Sequence, residues 1–238
     1  MHTPRLWAVV PAAGLGRRMG SETPKQYLKV LGIPVIEYTL RKLAAVPQVR
    51  GIIVAIDADD RWWDRLELKF RKSVRVVTGG EERIHSVLNA VEAIEDPLTE
   101  KDWIMVHDAA RPCVTLTDIQ KLIHAVELHR CGGILAAPVH DTVKQVRPNS
   151  FDIQETIDRS RLWRALTPQM FRAPLLLKGL RAGLRRSSEI TDEASALELL
   201  GYHPMLVEGR PDNIKITRPE DMALAEFYLG QEAAALGF

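Results

Sequence analysis

The residues best placed for chemistry lie in one loop. Gly14, Gly16 and Gly20 punctuate the segment VVPAAGLGRRMGSETPKQYL, residues 9–28, and Arg17, Arg18 and Lys25 add positive charge to it. Glycine lets backbone amides converge on an anion with no Cβ in the way. Arginine and lysine then supply mobile cations. Fixed amides joined to mobile cations suit a chain of phosphates. Two common phosphate loops are excluded. Met19 stands where the dinucleotide fingerprint G-x-G-x-x-G needs its third glycine, and no Gly-Lys-Ser/Thr closes a P-loop.

Three further constellations follow. Gly79-Gly80 in VTGGEERIHSVLNAV precedes a helix-period segment, and helix N-termini present unpaired amides to polar or anionic partners. Asp108 in VHDAARPC closes a strand, with Arg111 three residues on. A strand-end aspartate is placed for metal, ribose or substrate contacts. Arg159 and Lys215 lie in polar segments further along. Cys113 and Cys131 are the only cysteines, and their spacing predicts neither a disulfide framework nor a zinc site.

These residues need elements to hold them. Apolar runs at 6–10, 51–56, 74–77, 103–106 and 133–138 read as strands, alternating with helix-period segments over 34–46, 81–94 and 117–129. The alternation predicts an α/β, doubly wound, mostly parallel sheet, in which ligands sit beyond the carboxyl ends of the strands. One stretch departs from it. Two short strand-like pieces flank Arg147-Pro148-Asn149-Ser150, which predicts a hairpin with little core to pack on, a protruding arm. SSEITDEASALELLG reads as a helix capped at Thr191 and ended by Gly201, and Lys215 falls on a short strand before a last helix that starts at Arg218-Pro219-Glu220-Asp221.

Bulk properties narrow the class. The chain has 238 residues, 46% hydrophobic and 26% charged, with a net charge of +1. That fits one large domain, 1–238, with an arm at about 139–160 inserted in it, and gives no global attraction to nucleic acid or membrane. The N-terminus lacks a signal peptide's architecture, and no apolar run approaches the ~18 residues of a membrane span. A cytoplasmic protein is the expectation.

With these blocks in order, PAAGLGRRMGSETPKQYL, VHDAARP, ALTPQMF and NIKITRPEDMALAE, the chain resembles the methylerythritol phosphate cytidylyltransferase family of the sugar-nucleotidyl transferases over nearly its whole length. The resemblance implies a Rossmann-like nucleotidyltransferase fold and coupling of CTP to a sugar-alcohol phosphate with release of pyrophosphate. It implies that Arg18 and Lys25 stabilise the transition state at the α-phosphate. It puts Ala12, Ala13, Gly14, Gly16, Gly80, Glu81, Ser86 and Asp108 around CTP. Around the acceptor it puts Asp108, Arg111, Thr142, Arg159, Thr167 and Lys215, with Arg159 and Lys215 orienting the attacking phosphate. Glu81 stands where the family often has Asp, and Asp192 matches a recurrent family acid. A divalent cation, Mg²⁺ for choice, would be held mainly by the CTP phosphates. The arm would reach into the neighbouring subunit of a homodimer. The attacking phosphate is already anionic, so His107 is not expected to act as a general base. The second domain of bifunctional relatives is not expected.

Two other readings stand beside this one. Cytidylyltransferases for another polyol phosphate, such as ribitol 5-phosphate, usually carry AGG in the first loop and serine-valine after the strand-end aspartate. This chain carries Ala12-Ala13-Gly14 and Ala109-Ala110. A non-catalytic nucleotide-binding regulator on the same scaffold would not need the charged positions, all of which are present.

Overall fold

The frame of the molecule is a seven-stranded sheet. A computed structural model describes residues 4–14, 16, 19–94, 97–186 and 190–235. Four parallel strands, β1 (Leu6–Pro11), β4 (Val49–Ile56), β5 (Ser73–Thr78) and β6 (Trp103–Val106), make up one side of the sheet, with β5 at the edge. On the other side lie β7 (Gly132–Pro138), β10 (Trp163–Arg172) and β11 (Met205–Glu208), giving the order β11-β7-β10-β6-β1-β4-β5. The antiparallel strand is β10, wedged between β6 and β7. Two short strands, β2 (Lys29–Val30) and β3 (Ile33–Pro34), pair separately.

Both faces of β1, β6 and residues 51–56 of β4 are covered, so these stretches are apolar and do not alternate with polar residues, whereas β5 at the edge carries Ser73, Arg75 and Thr78. Ala8, Val10, Ile52, Val54 and Met105 point to one core, where Ile36, Leu40 and Leu43 of α1 (Val35–Ala45) and Ile119 and Leu122 of α3 (Leu116–Val126) meet them. Val9, Ile53, Ile104 and Val106 point to the other, against Val87 and Val91 of α2 (Arg83–Glu92) and Leu176 and Leu180 of α4 (Ala173–Arg186). The last helix, α6 (Glu220–Ala235), packs Ala225 and Leu229 on Met19, Val30 and Ile216. Among the described residues no helix is long and apolar enough to cross a membrane.

The arm is β8 (Val143–Val146) paired antiparallel with β9 (Ile153–Ile157), apart from the main sheet. At its tip Asn149 takes the left-handed conformation, φ 58°, and Ser150 N–H donates to Arg147 O at 3.2 Å. Phe151 is fully exposed, and Val146 and Ile153 are exposed with it.

Several boundaries differ from the sequence reading, for local reasons. The helix expected over 81–94 begins at Arg83, because Glu82 is its extended N-cap. The helix expected to reach His129 stops at Val126, and His129 N–H folds back to the Val126 carbonyl at 2.9 Å. The short helix α5 (Glu193–Glu198) is capped by Asp192, not Thr191. Asp192 Oδ1 accepts from Ser195 N–H and Ser195 Oγ accepts from Asp192 N–H, a reciprocal cap that a bare threonine would not supply. Lys215 lies on an irregular extended segment, not a strand, where Ile216 N–H donates to Ala110 O at 2.9 Å.

Candidate active site

At the carboxyl end of the parallel strands the loop after β1 faces the turn between β5 and α2. The cleft between them is lined by Pro11 to Gly14, Lys25, Gln26, Gly80 to Arg83, Ser86, Asp108 to Ala110 and Lys215. This is where a doubly wound sheet opens a crevice. Ala12 N–H donates to Ala55 O at 2.7 Å and Gly79 N–H to Ile56 O at 2.7 Å, so β4 holds both walls in register.

The two walls nearly touch. A Cβ on Gly79 would lie 2.5 Å from the Ala13 Cβ and 2.7 Å from Ser86 Oγ, so only glycine fits there. Ser86 Oγ accepts from Gly80 N–H at 3.1 Å, tying the turn to α2. Gln26 is buried beneath the first wall and donates to Ala12 O at 2.6 Å and Gly14 O at 3.2 Å. Gly16 has φ 62°, and the Lys25 stem packs where its Cβ would be, with Cγ at 3.1 Å. Gly16 thus shapes the loop beside Lys25 without lining the cleft. Arg18 lies outside the described residues.

Lys25 opens a one-turn helix, Lys25–Tyr27, and its Nζ donates to Ile216 O at 2.8 Å. The preceding residue, Lys215, places Nζ 2.9 Å from Asp108 Oδ2. One extended segment therefore bridges the two lysines.

Asp108 is the electrostatic hub. It is 6% exposed. Arg83 Nε donates to Oδ1 at 3.0 Å, and Arg111 Nε reaches Oδ2 at 3.4 Å beside Lys215. Burial alone would raise the carboxyl's pKa, but Arg83, Lys215 and Arg111 outweigh it and hold the group far below the usual carboxylate range. Arg111 also donates to Asn213 O at 2.7 Å, and burial lowers its pKa.

Behind Asp108 the hydrogen bonds run in one direction. His107 Nε2 faces the Arg111 carbonyl at 3.1 Å, which can only accept, so Nε2 carries the proton. Nδ1 then accepts from Thr167 Oγ1 at 2.9 Å, and Thr167 Oγ1 accepts from Asp108 N–H at 3.1 Å. Burial pushes the His107 pKa down to about 4. Thr167 is buried in this chain of bonds, so it supports the site through Asp108. Thr142 and Arg159 sit at the base of the arm. Neither is among the residues that line the cleft of their own chain, and Arg159 instead donates to His140 O.

Three residues that shape the site were not singled out from the sequence. Arg83 stands three residues before Ser86, on the same helical face, so its place in the cleft was readable. Gln26 follows Lys25 directly. Glu193 reads as an ordinary first-turn acid and gives no sequence signal for its burial.

Comparison with known proteins agrees with this geometry. The profile of the 2-C-methyl-D-erythritol 4-phosphate cytidylyltransferase family matches residues 6–231. The chain is 54% identical over 224 residues to the 2-C-methyl-D-erythritol 4-phosphate cytidylyltransferase of Vibrio atlanticus, covering 94% of this chain and 95% of that one. It is 47% identical over 229 residues to that of Hahella chejuensis, covering 96% and 95%. The crystal structure of the Francisella tularensis 2-C-methyl-D-erythritol 4-phosphate cytidylyltransferase superposes with a TM-score of 0.81 at 37% identity, covering 94% of this chain and 99% of that one. A glycine loop with its lysine, a glycine turn facing it, a strand-end aspartate ringed by cations and the match across 6–231 lead to one assignment: the chain belongs to the 2-C-methyl-D-erythritol 4-phosphate cytidylyltransferase family.

Proposed function

We propose that this cleft transfers the cytidylyl group of CTP to 2-C-methyl-D-erythritol 4-phosphate, giving 4-diphosphocytidyl-2-C-methyl-D-erythritol and pyrophosphate, a step of non-mevalonate isoprenoid synthesis. The observation that carries the residue assignment is the joining of Lys25 and Lys215 through Ile216 in the cleft that Ala12, Ala13 and Gly80 also line. Ala12, Ala13, Gly80, Glu81 and Ser86 take the base and ribose. Gly14, Arg18 and Lys25 take the phosphates, with Gly16 shaping the loop beside Lys25. Arg111 and Lys215, set by Asp108 and Thr167, take the acceptor's phosphate.

An anionic oxygen of that phosphate attacks the α-phosphorus, and the bond to the departing pyrophosphate breaks in line. No proton has to move. Charge grows on the equatorial oxygens, and Lys25 and Arg18 offset it. Holding two anions in attack geometry removes much of the entropy cost of their meeting. His107, buried and neutral, is not called on.

The donor set does not fit a resident metal. Among the described residues no three His, Cys, Asp or Glu side chains converge, and Asp108 is taken up by three cations. A divalent cation would arrive with CTP, on the triphosphate oxygens, as part of the substrate. The proposal places the enzyme in the cytoplasm, where CTP is at hand. It also assigns Arg159 and Thr142 to the site of a second copy, with the exposed arm as the clasp of a homodimer.

Pyrophosphate release tests the acceptor. We expect release from CTP with 2-C-methyl-D-erythritol 4-phosphate and little with ribitol 5-phosphate. Equal release with both would overturn the choice of acceptor. Release with neither would leave a nucleotide-binding regulator.

A further inference from the structure

Glu193 lies outside the cleft, on the first turn of α5, and is 1% exposed. A carboxylate so deep is costly unless it is paired. Its partner is Arg83, which donates from Nη1 to Oε1 at 2.5 Å and from Nη2 to Oε2 at 3.0 Å, fork to fork. The remaining Nε–H of the same guanidinium goes to Asp108 Oδ1 at 3.0 Å. One rigid plane thus joins two carboxylates. The other oxygen of Asp108 is left to Lys215 at 2.9 Å and Arg111 at 3.4 Å. Because the two oxygens of a carboxylate share one plane, fixing Oδ1 aims Oδ2.

The far end of this chain is itself anchored. Gln169 of β10 donates to Asp192 Oδ2 at 2.9 Å and accepts from Ala194 N–H at 3.1 Å, bracketing Glu193 on both sides. With Glu193 in place Arg83 divides its charge between two anions. Without it Asp108 would be its sole near counter-ion, and Arg83 would compete with Lys215 for both oxygens.

We propose that Glu193 is a positioning residue for the acceptor phosphate: it holds Arg83, Arg83 holds Asp108, and Asp108 aims Lys215. The inference rests on the reading above that Lys215 and Arg111 receive that phosphate.

The test is steady-state kinetics on the full chain, with each substrate varied in turn. Glu193→Gln should raise KM for 2-C-methyl-D-erythritol 4-phosphate about tenfold while KM for CTP changes less than about twofold. Lys215→Ala should raise the acceptor KM as well, and the double variant should fall well short of the product of the two effects, because both act through one contact. Should Glu193→Gln fail to fold, Arg83→Met with Glu193→Gln removes both buried charges together and should show the same rise in acceptor KM. A folded Glu193→Gln enzyme with wild-type KM and kcat for the acceptor overturns the proposal. So does a double variant whose effects simply multiply, which is the signature of a structural role. If Lys215→Ala leaves the acceptor kinetics unchanged, the reading of Lys215 fails first and the inference falls with it.

Discussion

Lys25 and His107 separate two kinds of importance at the scale of single residues. Lys25 sits where charge develops, so Lys25→Ala should lower kcat about a hundredfold or more while moving the KM for CTP much less. Initial-rate kinetics decide it, and a wild-type kcat with only a raised KM would make Lys25 a simple binding group. His107 matters instead to folding. Its pKa falls from 6.5 to about 4 in the folded protein. Between those values the unfolded chain holds a proton that the folded chain does not, so stability falls as pH drops through that window. Above it both states are neutral and nothing is lost. Chemical denaturation at pH 7 and pH 5 should show a loss of about 2 kcal/mol from this residue, and His107→Gln, which keeps a donor for the Arg111 carbonyl and an acceptor for Thr167, should abolish that part. An equal pH dependence in the variant would clear His107 of the role. Lys25, Asp108 and Lys215 were legible because glycines, a strand end and familiar blocks surround them in sequence. Glu193 was not, since its partner Arg83 is 110 positions away.

Elements gave up their existence more readily than their ends. Two-sided burial writes a continuous apolar run into β1, β4 and β6, and these strands were legible as buried. Where a helix begins depends on a few bonds that periodicity does not carry. Apolar spacing would admit Glu81 and Glu82 to α2, yet the turn before it is held open by Ser86 and by the approach of Gly79 to Ala13. The resemblance put Gly80 around CTP with Ala12 and Ala13. In the structure Gly79 makes the close approach, while a Cβ on Gly80 would meet His85. Gly79→Ala should force the two walls of the cleft apart and raise the KM for CTP about tenfold, in line with the 1–3 kcal/mol typical of overpacking. An unchanged KM for CTP would show that the turn yields without disturbing the nucleotide. The reciprocal cap on α5 escaped for a similar reason. Thr191 and Asp192 are both good caps in sequence; Asp192 has Ser195 three residues on to complete the reciprocal cap, and Gln169 of a distant strand adds a further bond to its Oδ2.

At the scale of the whole molecule the arm is the part that one chain leaves without a surface to pack on. A two-stranded hairpin is marginal in water by itself, and this one carries Phe151, Ile153 and Val146 out into solvent. A symmetric pair would let each arm lie on its twin. Arg159 at its base would then bring a planar fork to the acceptor's phosphate, where a lysine supplies only a point charge. In that arrangement the site would be composite, and composite sites can be complemented. Lys25→Ala disables the cleft of its own chain, and Arg159→Ala disables the arm that serves its partner. In a heterodimer of the two variants one cleft has an intact Lys25 but receives its arm from the other chain, whose Arg159 is also intact. The second cleft lacks both. Each variant alone should be nearly inactive, and the mixture, once subunit exchange is complete, should recover about a quarter of wild-type activity, since random pairing makes half the dimers mixed and each has one working site of two. Exchange can be verified by mass spectrometry on differently tagged chains. If mixed dimers form and the activity stays at the level of the parents, Arg159 serves its own chain or has no part in the reaction.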